Sequence, residues 1–300
     1  MPKIAIVKPM ESAFDRTLEL LFKPFKIMQW ITLGFVFWLG GLVAQSLIPL
    51  RILDYYSSFV MQVDLATFAI ERLREVAGGL FLVGVLCAVL WIALTWVSAR
   101  AQFTFLEQVL LGSSDWQGCW SRTKAFYRSY FFWEMGFGVV RLAWLAFALF
   151  GSAVALRGVL QTYPDPRLVV SMGLLAFLIF FIVGVLVEYT HLLVRDFVML
   201  VMYKQKVNVV EAWGSFWPIF KSSFKEFYFY ALMKLLVLTG VSLFAGITCC
   251  VSTLPFLGTV FLLPFYVFIR LYSIEFLSQF GEAWIIDQKR PPPLPLNMGE

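Results

Sequence analysis

The sequence is poor in the residues that most reactions need. It has one histidine, His191, and four cysteines, Cys87, Cys119, Cys249 and Cys250, in 300 residues. A histidine-based triad would have to use His191, and no nucleophile elbow, phosphate loop or Cys-x-x-Cys pair stands ready to join it. The cysteines lack metal-ligand spacing, and three lie in or beside apolar runs, where a packing role suits them; the adjacent Cys249 and Cys250 are the one pair that a vicinal disulfide would need. Charge is scarce as well. Only 14% of residues are Asp, Glu, Lys or Arg, against roughly a quarter in soluble domains. These absences argue against an enzyme, a metal, a cofactor and a soluble globular fold.

What fills the chain instead is apolar. Hydrophobic residues make up 60% of it, with 32 Phe and 11 Trp, a richness that suits lipid-facing helices and interfacial belts. About 20 residues at ~1.5 Å each cross a hydrocarbon core of roughly 30 Å. Six runs meet or approach that length: residues 27–48, 78–97, 130–156, 168–193, 227–251 and 254–276. The last is interrupted by Pro264, and the uncharged stretch 235–269 is short for two full spans. The final hairpin therefore needs Lys234 and Arg270 within its ends, or is partly re-entrant.

The basic residues set an orientation. Lys3, Lys8, Arg16, Lys23 and Lys26 precede the first run. Arg100, Arg122, Lys124 and Arg128, then Arg195, Lys204, Lys206, Lys221 and Lys225, occupy the second and fourth connections. The first and third hold only Arg51, Arg72, Arg74, Arg157 and Arg167. The positive-inside rule then puts both termini in the cytoplasm. The net charge of +5 is dispersed around apolar runs, so membrane lipids, anionic ones included, are the expected partners, and nucleic acid is not. Residues 52–76 have an apolar spacing that predicts a helix lying on the outer surface. Residues 287–300, with three consecutive prolines, are expected to form a mobile, polyproline-type cytoplasmic tail.

A repeat underlies this order. AFDRTLELLFKPFKIMQW from Ala13 is echoed from Cys119 and again from Ala212, each copy opening on a small residue followed by an aromatic. The fold class is thus an all-α integral membrane protein of six helices in three repeated pairs, joined by interfacial amphipathic segments. A single transmembrane domain covers residues 1–286, with repeat units at about 13–111, 119–204 and 212–280. The even-numbered runs continue into ARAQFTFLEQVLL, VRDFVMLVMYKQ and IRLYSIEFLSQFGEAW, segments expected to bend into the interface or enter the cytoplasm.

Charges inside spans cost ~2.5–3.5 kcal/mol each on insertion scales, so Glu134, Arg141 and Lys234 are candidates for function. Arg141 and Lys234 stand at equivalent positions of their copies, with no acid evident at that depth; an anion or lipid headgroup between them would satisfy both. Pairing of Arg141 with Glu134 or Glu188, or snorkelling, competes with that reading. Glu188 and His191, three residues apart on one helix face, make a candidate proton-handling pair or a wet interfacial one.

The segment RTLELLFKPFKIMQWITLGFVFWL, from Arg16 to Leu39, resembles the start of a family of uncharacterised prokaryotic multi-pass proteins. That family is loosely similar to the membrane domain found beside some glycerophosphodiester phosphodiesterases. The resemblance implies the inner (cytoplasmic) membrane and carries no catalytic residues, since no catalytic domain is present. The expected function is a non-enzymatic, membrane-embedded binding, scaffold or assembly component, with a protein partner or a second copy as further partners. The alternative is a transporter or permease for an anionic or lipid-like solute, using Arg141 and Lys234. Replacing those two cations by Leu and Met should leave a scaffold folded.

Overall fold

A computed structural model of the protein describes residues 4–46, 71–123, 127–162, 166–248 and 256–286. The described residues are helical and contain no strand. In chain order the helices are α1 (Lys8–Phe22), α2 (Ile27–Ser46), α3 (Glu71–Leu111), α4 (Trp116–Arg122), α5 (Tyr127–Thr162), α6 (Pro166–Leu193), α7 (Met199–Gln205), α8 (Val209–Ser222), α9 (Phe224–Ile247), α10 (Leu257–Phe261) and α11 (Leu263–Ser278). A π-helical turn, Val194–Val198, joins α6 to α7 without a break. The surface helix expected at 52–76 lies outside the described residues up to position 70, and 71–76 already belong to α3. Cys249, Cys250 and the tail 287–300 lie outside the described residues too.

Three described helical stretches, Phe81–Leu111, Ser171–Gln205 and Phe224–Ile247, are long and apolar enough to cross a membrane. Their most apolar windows are only 11%, 6% and 17% buried, so the protein itself covers little of them. In water such surfaces would not stay open, and these are the features of a membrane protein. The break expected near Pro264 falls between α10 and α11, where proline occupies the first turn of the new helix and costs it no hydrogen bond.

The short helices have local causes. In α1, Pro9, Ala13, Thr17 and Leu21 recur every fourth residue and form the buried stripe that packs on α11. Pro24 prevents the helix from continuing, and two side chains of α2 satisfy its open end: Trp30 Nε1 donates to the Leu21 carbonyl at 3.0 Å and Gln29 Nε2 to that of Leu20 at 3.3 Å. At α8 the Asn208 side chain accepts from the Glu211 amide at 3.0 Å and donates to the Glu211 carboxylate at 2.9 Å, a reciprocal N-terminal cap.

The chain divides into two compact units. The first comprises residues Met1–Gly41, Val97–Trp133 and Tyr189–Glu300, and the second Leu42–Trp96 and Glu134–Glu188. In the second unit, indole rings lie against glycines: a Cβ on Gly138 would stand 2.5 Å from the Trp91 ring, and one on Gly184 2.5 Å from the Trp144 ring. Trp144 also stacks on Phe180 at 4.0 Å between ring centroids.

The first unit has a core of another kind. Residues 99–110 of α3, 193–203 from the end of α6 through α7, and 270–277 of α11 are mostly buried. These are the segments expected either to bend into the interface or to continue the helix into the cytoplasm; each continues its helix, and its side chains are mostly buried in a packed interior. Phe197 stands at the centre, with Phe216, Phe227, Tyr230 and Phe276 at ring-centroid distances of 5.6, 5.0, 4.8 and 5.8 Å. Such aromatic pairs add about 0.5–1.5 kcal/mol each beyond their buried area.

Candidate functional site

The intramembrane charges read from the sequence divide between the units: Glu134 and Arg141 belong to the second, Lys234 to the first. Arg141 reaches from α5 to Glu188 on α6, its Nε donating to Oε1 at 2.7 Å and its Nη2 to Oε2 at 2.5 Å. Two parallel bonds from a guanidinium fork are the strong form of this pairing. Its Cζ also lies 5.2 Å from the Phe137 ring centroid. Glu188 therefore spends both oxygens on Arg141, while His191, half-buried, stands one turn later in the first unit. Glu134 is half-buried on α5, two turns before Arg141.

Lys234 on α9 is 8% exposed, and its ammonium donates to Asp196 Oδ2. The expectation that no acid lies at its depth is wrong. Asp196 stands in the π-helical turn, where one extra residue per turn widens the helix and rotates the faces of α7 beyond it. The same oxygen accepts from Tyr230 Oη at 3.0 Å, and Ser273 Oγ lies 2.7 Å from that hydroxyl. Arg270, 7% exposed on α11, donates from Nη1 to the Arg195 carbonyl at 2.9 Å, and its Nη2 is 3.6 Å from Met199 Sδ. Helices α9, α11 and the π turn thus place a carboxylate, two cations, a phenol and a serine in one buried cluster. Carboxylate and ammonium neutralise each other there, which is what makes their burial tolerable.

A second buried pair lies elsewhere in the first unit. Glu107 on α3 is 1% exposed and accepts from Arg122 Nε of α4 at 2.5 Å. Arg122 Nη2 lies 3.3 Å from Cys119 Sγ. The hydrogen bond to Glu107 pushes the Arg122 guanidinium up, and burial pushes the Cys119 thiol up to about 11. A nucleophilic cysteine needs the opposite shift, so the surroundings of Cys119 favour its neutral, packed thiol. Among the described residues no three His, Cys, Asp or Glu side chains gather as a metal ion would require.

Sequence reasoning therefore finds Arg141, Lys234 and the Glu188 partner of Arg141, and misses Asp196 and the second pair, Glu107 with Arg122. Asp196 and Glu107 each sit in a connection read as wet. The signal was present in Val194 to Met202, where one carboxylate interrupts an otherwise apolar run: an acid so placed must find a cation.

No curated protein and no solved structure matches the chain. Residues 4–286 match the sequence model of a group described as a family of unknown function, DUF7544, and the chain belongs to that family.

Proposed function

We propose that the chain is a non-enzymatic multi-pass protein of the inner (cytoplasmic) membrane, serving as a membrane-embedded binding, scaffold or assembly component. Six helices in three repeated pairs, with both termini cytoplasmic, are its proposed arrangement. One observation carries the functional reading: the two cations that the sequence singles out both have a carboxylate of the chain at hydrogen-bond distance, Arg141 with Glu188 and Lys234 with Asp196. A permease that recruits an anion through these cations would have to break both pairs first. The repeat is supported by burial, since Ala13, Cys119 and Ala212, which open its copies, are each fully buried on a short helix preceding a long one. Kinship with the membrane domain beside glycerophosphodiester phosphodiesterases stays part of the proposal, resting on residues 16–39 alone.

Native mass spectrometry of gently extracted protein tests the role. The expected result is a bound protein partner, second copy or phospholipid. Proteoliposomes should take up no more radiolabelled glycerol 3-phosphate than empty vesicles do. Uptake that disappears when Arg141 and Glu188 are both replaced by Leu would instead establish a permease.

A further inference from the structure

The buried cluster carries more positive charge than it neutralises. Arg195, Lys234 and Arg270 act on one another electrostatically, and the carboxylate set against them is Asp196. Asp196 is committed to Lys234 and Tyr230. Arg270 has a neutral carbonyl and a thioether as partners, and its remaining N–H groups have none among the described residues. A buried guanidinium that must share one carboxylate with two other cations is costly, so the cluster is short of negative charge as it stands.

Two further donors lie beside it. Arg195 is half-buried, and its guanidinium makes no hydrogen bond or ion pair among the described residues. The corresponding arginines of the other two connections do: Arg100 donates to the Trp120 carbonyl at 2.8 Å and Arg270 to that of Arg195. Tyr266 stands one turn before Arg270 on the same face of α11 and within electrostatic reach of Arg195. Its ring stacks on Phe37 at 4.0 Å, and its hydroxyl has no hydrogen-bond partner among the described residues.

We infer that Arg195, Tyr266 and Arg270 bind a phosphate-class oxyanion, supplied by a phospholipid headgroup or by free phosphate. Planar guanidinium forks match phosphate oxygens, and a phenol adds a third donor. One or two negative charges would offset the cluster's excess. The site lies toward the end of the Ser171–Gln205 span that carries Lys204 and Lys206, where the proposed topology puts the anionic leaflet. The inference rests on the membrane-embedded binding role and supplies its ligand class. It differs from the sequence expectation, which places an anion between Arg141 and Lys234.

The test uses full-length wild type and Arg195→Gln, delipidated in neutral detergent and followed by tryptophan-fluorescence melting. Wild type should gain about 5 °C in Tm with inorganic phosphate or phosphatidylglycerol, and nothing with sodium chloride at matched ionic strength. Arg195→Gln should melt with delipidated wild type and show less than a third of that gain. A gain with phosphatidylglycerol alone identifies a headgroup site, and a gain with both identifies one open to free phosphate. No gain with either, an equal gain with chloride, or an undiminished gain in Arg195→Gln overturns the assignment. Should that variant fail to fold, Tyr266→Phe replaces it, with at least half of the gain expected to vanish and an unchanged gain overturning the site. Carbonate extraction separates the two readings. A chain released by carbonate sinks the membrane-embedded role, whereas a retained chain with no melting response sinks the anion site alone.

Discussion

Lys234 donates from α9 to the Asp196 carboxylate, and both side chains are buried. Removing its ammonium leaves the Asp196 carboxylate buried beside two arginines and a phenol, and breaking a buried pair from one side costs about 3–5 kcal/mol. Lys234→Met alone should therefore lower stability by that order in detergent unfolding. Lys234→Met with Asp196→Leu should recover only part of it: Tyr230 keeps Ser273 as a partner, but the buried Arg270 loses its nearby carboxylate. A double-mutant cycle reads the coupling directly, and additive losses would mean that the two side chains do not interact. Cys119 gives a prediction of another kind. Its thiol, ordinarily near 9.0, is raised to about 11 by burial. The folded state thus favours the neutral thiol; the stability this contributes is full below about pH 9 and is lost as pH rises towards 11, about 2–3 kcal/mol in all. The stability gap between wild type and Cys119→Ala, measured from pH 8 to 11, should shift against wild type over that window. A gap constant across the window would contradict the burial argument.

At the scale of elements, the long helices and their approximate ends are readable because apolar runs with proline or polar stops dictate them. Helix α1 is readable for a similar reason, a stripe of every fourth residue. What the sequence hides is that the extensions of α3, α6 with α7, and α11 past their apolar runs are buried, since Gln102, Glu107, Asp196 and Glu275 make them look wet. Their polar groups are satisfied instead by residues far away in the chain: Tyr130 Oη donates to Gln102 Oε1 at 2.9 Å, and Arg16 pairs with Glu275. Hydropathy is a local property and these partners are not. Close approach is only partly readable. Among glycines within the long helices, Gly136 faces open space, whereas a Cβ on Gly34 would lie 2.6 Å from Val260 Cγ2 and 3.2 Å from its Cα. Gly34→Ala must push α2 and α10 apart. We expect a loss of about 1–3 kcal/mol, visible as a lowered Tm in detergent, with Gly136→Ala as a near-neutral control.

For the whole molecule, composition alone conveys an all-helical membrane protein, and three apolar helices of sufficient length agree with it. The division into two units is not legible. Stretches of the first unit come from the beginning, middle and end of the chain, and nothing in local composition says that residues 97–133 leave the helices of the second unit to join them. The packing of α1 on α11 has a consequence in time. Ala5 bonds to Gln279 and Arg16 pairs with Glu275, across 274 and 259 positions of sequence. At ~5–20 residues per second, the ribosome makes the last helix tens of seconds after the first. Through that interval Ala13, Thr17 and Leu21 have no final partner, and a nascent chain halted before α11 would keep its opening stripe uncovered. A quality-control protease that senses that stripe would discard unfinished chains and spare completed ones.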